Sequence, residues 1–263
     1  MQSVFGSIIA IYRKELRSYF ASPFAYVIAA VFWFLGALFF NSILGQLISS
    51  VALQDSLGGG SEPLDLPGQF LAIYLGILGS LSLFVLPMLS MGLYTEERKR
   101  GTLELLATSP IANWSVAVGK LLGAVTFYFT LTLPFMVYEA IAISAADPSM
   151  SFAQLLLGHL ALILLAAAVL SLGMFISSLT DSAILAAILT FGLMLLLWVT
   201  DLISRSVSGP LGDAIGHLSL LNHYTQITQG VLDTSSLVWF ASYIFLGVFL
   251  TAQSIEAFRF QRS

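Results

Sequence analysis

The segment Tyr94–Pro110 reads YTEERKRGTLELLATSP and stands between two long apolar runs in a chain with few charges elsewhere. From Thr95 onward it holds three of the ten basic residues (Arg98, Lys99, Arg100) and three of the fourteen acidic ones (Glu96, Glu97, Glu104). Charge at this density is too expensive for hydrocarbon, so the segment must lie outside a bilayer. The chemistry it offers is recognition: a charged docking surface for a soluble partner. A short helix beginning after Thr95 would place Glu96 and Glu97 at its positive end, where acidic side chains are favoured. Arg98, Lys99 and Arg100 would then face a complementary groove, with Leu103, Leu105 and Leu106 as an apolar anchor.

Other reactive patterns are sparse. No G-x-x-x-x-G-K-[ST] phosphate loop occurs, since Gly119-Lys120 continues into Leu121, so ATP binding is not expected of this chain itself. There is no H-E-x-x-H motif and no cysteine, which removes thiolate metal sites and disulfides. His159, His217 and His223 are scattered, and the spacing of the last two fits no helical ligand pair. His159 reads as a polar residue bonded to a neighbouring helix. Inside the apolar runs Glu139 and Lys120 are the clear charges; both are expected to reach an interface, Lys120 by snorkelling. The lack of buried mid-membrane acids argues against an ion-coupled carrier. Trp33, Trp114, Trp198 and Trp239 read as interfacial anchors, and no basic-aromatic surface suits nucleic acid.

The elements that position these residues follow from composition. Of 263 residues 58% are hydrophobic and 9% charged, against about 25% charged in soluble domains, and mean hydropathy is +0.93. The chain reads as an all-α membrane protein with six transmembrane helices, near 25–47, 69–93, 114–141, 152–178, 183–203 and 237–258. The first apolar run is too long for a signal-peptide core and is read as retained. Pro87 and Pro134 fall inside spans two and three as expected kinks. With both termini in the cytoplasm, Arg13, Lys14, Arg17, Arg98, Lys99, Arg100, Lys120, Arg259 and Arg262 lie inside and Arg205 alone outside, as the positive-inside rule requires. One transmembrane permease domain, 1–263, accounts for the whole chain.

Outside the spans, Val4–Phe20 places Phe5, Ile8, Ile9, Tyr12, Leu16, Tyr19 and Phe20 at helical spacing opposite Arg13, Lys14 and Arg17. That pattern predicts an amphipathic interfacial helix over 3–21, turned into the bilayer at Ser22-Pro23. The outer loop 48–68 contains LGGGSEP (Leu57–Pro63), a flexible turn. The outer loop 204–236, broken by Pro210, Gly212, Gly216 and Gly230, reads as short helices dipping back toward the membrane or as a surface loop.

The cytoplasmic segment 94–111 resembles the type-2 ABC exporter permeases in its run Glu96-Glu97-Arg98-Lys99-Arg100-Gly101-Thr102-Leu103-Glu104-Leu105-Leu106, closing at Ser109-Pro110. Arg13–Phe20 is similar to that family's interfacial helix, with Arg13, Lys14, Glu15 and Arg17 as its charged residues. Asn222-His223-Tyr224 and Gln229–Asp233 resemble the region before its last span. Ser22–Tyr26 is most similar to the gliding-motility and nitrous-oxide-reductase-maturation permeases. The resemblance implies a multi-pass subunit of the bacterial plasma membrane, paired with a second copy or a sister permease. Each permease would dock a separate ATP-binding-cassette ATPase subunit through Glu96–Glu104, with ATP and Mg on that partner and no cofactor on this chain. An extracytoplasmic accessory subunit and membrane lipid are the further partners implied. The alternative is a non-transporting membrane anchor or mechanical subunit of a larger ATP-driven envelope assembly.

Overall fold

The computed structural model describes residues 4–56, 65–103, 111–146, 150–207, 209 and 216–260. Glu104–Pro110, the Leu57–Pro63 turn, Pro210, Gly212 and Arg262 lie outside them. The described chain is helical: α1 (Val4–Ala21), α2 (Pro23–Ser56), α3 (Leu66–Ser90), α4 (Gly92–Lys99), α5 (Asn113–Ser144), α6 (Phe152–Leu179), α7 (Ala183–Ser206), α8 (Leu220–Thr228) and α9 (Thr234–Phe260). Six helical stretches are long and apolar enough to cross a membrane; α3 and α4 together form one of them.

Local chemistry sets the starts of these helices. Pro23 opens α2 at a position where a missing N–H costs nothing. The Asp65 carboxylate accepts from Gly68 N–H at 3.0 Å with Pro67 in the first turn of α3. Ser151, Ser182 and Ser219 cap α6, α7 and α8 through their hydroxyls, each satisfying an N–H that the helix leaves unpaired. Ser219 also donates to Asp201 at 2.9 Å, tying the start of α8 to the end of α7.

The bundle is organised around α6, two-thirds of whose most apolar stretch is buried by other helices, whereas α2, α7 and α9 lie at the periphery. Small residues let α6 take that place. Gly247 of α9 sits against the backbone of Ser171, and Gly173 against Ser90 and Thr190. Val27 and Phe34 of α2, Ile184 and Ile188 of α7, and Phe245 of α9 face outward as the apolar surface that a bilayer wets. Trp33 donates to the Leu131 carbonyl at 2.9 Å and ties α2 to α5.

Two segments outside the six long helices are fitted into the bundle. α8 buries Leu220, Tyr224 and Ile227, and the Tyr224 hydroxyl donates to the Leu75 carbonyl over Gly79. α1 runs alongside the first half of α5 in the same direction. Ile8 and Ile11 meet Gly119; Tyr12, Glu15 and Leu16 meet Gly123; Tyr19 and Phe20 meet Phe127. The two glycines a turn apart allow this backbone approach. The expected apolar face of α1 is therefore divided: Ile8 and Tyr19 turn to the protein, while Phe5 and Ile9 stay exposed beside Arg13 and Arg17.

Candidate functional site

The charged segment is helical earlier than its sequence suggests. Span two runs on into α4 across Met91, whose own dihedrals are helical. Glu96 and Glu97 lie in the second turn, not at the positive end, and the Thr95 hydroxyl donates back to Met91 O at 2.7 Å. The expected cap after Thr95 is thus absent, because the apolar helix preceding it simply continues. Instead Arg98 and Lys99 occupy the last turn, where cations meet the negative end of the dipole. Gly101 ends the helix at φ +69°. Its N–H donates to Arg98 O at 3.1 Å and that of Thr102 to Glu97 O at 2.9 Å, the paired bonds of a Schellman turn. Leu103 follows and is buried.

The helix divides the segment into an inner and an outer face. Glu96, Lys99, Arg100 and Gly101 are exposed, and Glu96 pairs with Arg100 at 3.5 Å across one turn in open solvent. Glu97 and Arg98 turn inward. The Arg98 guanidinium donates to Ser178 O at 2.7 Å, and the Ser178 hydroxyl meets that of Ser254 at 2.9 Å, so α4, α6 and α9 are joined in sequence.

Glu97 enters a buried cluster. Lys120 of α5, 2% exposed, donates to Glu97 Oε1 at 2.7 Å, to Glu15 Oε1 of α1 at 3.0 Å and to the Leu93 carbonyl. Its ammonium also lies 4.8 Å above the Tyr94 ring. Lys14 stands at the rim, 3.7 Å from both carboxylates. Two acids face two bases, so the cluster is neutral, the condition under which buried charges are tolerated. Lys120 therefore does not snorkel to an interface; two carboxylates reach it inside the protein. The cluster borders a cleft of about 360 Å³ between α1, α2 and α4, with Glu96 and Arg100 at its edge. Tyr19 fastens the other end of α1, donating to Leu89 O at 2.6 Å and stacking on Phe127 at 4.9 Å. Burial, and then the nearby Glu15 charge, push its phenol far above its ordinary range.

Of the charged residues singled out on α1, Glu15 alone turns inward, while Arg13, Lys14 and Arg17 are exposed. Glu139 differs from expectation as well: it is 0% exposed and reaches no interface. His159 bonds its own helix through Leu155 O at 3.2 Å, with Glu139 at 3.7 Å across the helix boundary. His223 engages Ser236 and the His217 carbonyl, both at 2.9 Å, and lies against the Trp239 ring. No group of three metal-ligating side chains occurs among the described residues.

Lys120 and Tyr19 are the site residues to which the sequence assigns other roles, a snorkelling lysine and part of an apolar helix face. Gly119-Lys120, set aside as a failed phosphate loop, belongs to Gly119-x-x-x-Gly123, whose small-residue spacing marks a helix contact. Comparison with curated proteins finds no match. Residues 9–263 match the ABC-2 family transporter proteins, and six membrane-length helices accompany that match. The chain belongs to the ABC-2 family, as a multi-pass ABC transporter membrane permease of a family that implies a separate ATPase partner.

Proposed function

We propose that this chain is the permease subunit of an ABC exporter in the bacterial plasma membrane, with both termini cytoplasmic. A separate ATP-binding subunit docks on α4 and drives substrate across a pair of such permeases, a second copy or a sister chain completing the pair. The observation that carries this reading is the division of the charged segment. Glu96, Lys99 and Arg100 present an exposed charged rim, while Glu97 and Arg98 lock that rim to α1, α5, α6 and α9. A force applied to the rim is transmitted to those helices by short charge-assisted bonds, stiffer and stronger than neutral ones. α1 contributes through Glu15, and its exposed Phe5 and Ile9 beside Arg13 and Arg17 suit the headgroup boundary of the inner leaflet. Gly101 and Thr102 serve as the stop of the docking helix, with Leu103 buried directly after it. The likeness of Ser22–Tyr26 supports, as part of the same proposal, a kinship with the gliding-motility and nitrous-oxide-reductase-maturation permeases.

The test is co-purification of the ATP-binding subunit with the tagged chain from native membranes in mild detergent. Replacing Glu96, Lys99 and Arg100 together by alanine should leave the chain folded and inserted and abolish capture. Undiminished capture and coupled ATP hydrolysis in that variant would sink the assignment of the rim. Capture of extracytoplasmic proteins without an ATPase would move the reading to a mechanical anchor.

A further inference from the structure

Glu139 on α5 and His159 on α6 meet toward the opposite end of α5 from Lys120, near Tyr224 of α8. They are 0% and 3% exposed, with Glu139 Oε2 3.7 Å from His159 Nδ1. Neither carboxylate oxygen has a hydrogen-bond partner, and neither does His159 Nε2. Nδ1 faces the Leu155 carbonyl at 3.2 Å; a carbonyl only accepts, so Nδ1 carries the hydrogen.

The other titratable groups that sense Glu139 are Tyr74 from α3 and Tyr224 from α8. Their hydroxyls donate elsewhere, to Gly36 O and Leu75 O, so neither relieves the carboxylate. Among the described residues each member of the pair makes its one ion-pair contact with the other. An ionised carboxylate without a donor, or an imidazolium without a counter-charge, is costly by several kcal/mol in such surroundings. Beyond the Nδ1 hydrogen, the two groups together are neutral only when they hold one further proton, whichever carries it.

We propose that Glu139 and His159 form a one-proton binding site closed between α5 and α6. It keeps that proton where the separated groups would release it. Parting α5 from α6 admits water and frees the proton. Any conformation that opens this end of the bundle is therefore linked to pH.

Equilibrium unfolding of the full-length chain in mixed micelles, followed against pH, tests the site by the difference between wild type and variants. In the unfolded chain both groups are deprotonated above about pH 6.5. The folded pair retains its proton there, so stability falls as pH rises, about tenfold in the unfolding constant per pH unit. Glu139→Gln leaves an imidazole neutral in both states above that pH and should remove this component. His159→Gln leaves a lone buried acid, and the fall should begin near the unfolded glutamate value of about 4.3, about two pH units earlier. A wild type and Glu139→Gln of equal slope above about pH 7 would overturn the proposal. If Glu139→Gln does not fold, the onset in His159→Gln decides alone, and an unmoved onset overturns it. Stabilisation by added sodium in wild type and not in Glu139→Gln would also overturn it, by making the occupant a metal cation.

Discussion

Replacing Lys120 by methionine isolates the contribution of the buried cluster. Methionine keeps the length and apolar stem of lysine and removes the ammonium that bridges Glu15 and Glu97 at 3.0 and 2.7 Å. The two carboxylates are then left facing each other at no more than about 6 Å, where like charges repel by about 3 kcal/mol at an effective dielectric of 20. The Leu93 carbonyl loses its donor as well. Removing one member of a buried pair costs about 3–5 kcal/mol, in agreement. Lys14, already 3.7 Å from both acids and exposed at the rim, can swing inward and recover part of the loss. The expected net effect is about 2–3 kcal/mol against docking of α1 on α5, or about 30- to 150-fold in opening. Amide hydrogen exchange in detergent reads this directly: protection in α1 and α4 should fall by that factor while α6 is unchanged. The triple variant Glu15→Gln, Glu97→Gln, Lys120→Met leaves no buried charge, only the solvated Lys14 at the rim, and should recover most of the protection. Exchange in α1 altered less than about fivefold by Lys120→Met, or no recovery in the triple variant, would refute the electrostatic account and leave apolar packing as the sole tether.

The remaining predictions concern backbone approach and capping. A Cβ on Gly119 would stand 2.9 Å from Ile11 and 3.0 Å from the Ile8 carbonyl, whereas one on Gly192 meets nothing within 4 Å. Gly119→Ala should therefore loosen α1 by about 1–3 kcal/mol, while Gly192→Ala stabilises slightly through its better helix propensity; exchange and thermal melting compare the two. Gly101→Ala strains a residue at φ +69° by about 1 kcal/mol and should fray the last turn of α4, lowering partner capture without lowering expression. Tyr224→Phe removes the bond to Leu75 O at a cost of about 1 kcal/mol, and should expose α8 to limited proteolysis while α1 stays protected.

Sequence alone determines that this chain crosses a membrane repeatedly as helices, because runs of apolar residues long enough to span a bilayer have no other way to satisfy their backbone. It also marks the charged segment as lying outside hydrocarbon, since the cost of burying unpaired charge is a property of the residues themselves. Which charges are exposed was a different matter. Glu96 and Glu97 are neighbours of one residue type, and only the rotation of α4 against α5 sends one to solvent and the other to Lys120. Lys120 read as a snorkelling lysine because its partners, Glu15 and Glu97, come from two other helices distant in the chain. Glu139 read as an interfacial acid for the same reason, since it is buried against His159 of a different helix. The length and hydropathy of a helix are local and legible. The partner of a buried charge is set by how helices pack, and that information is shared among segments which meet only in the folded chain.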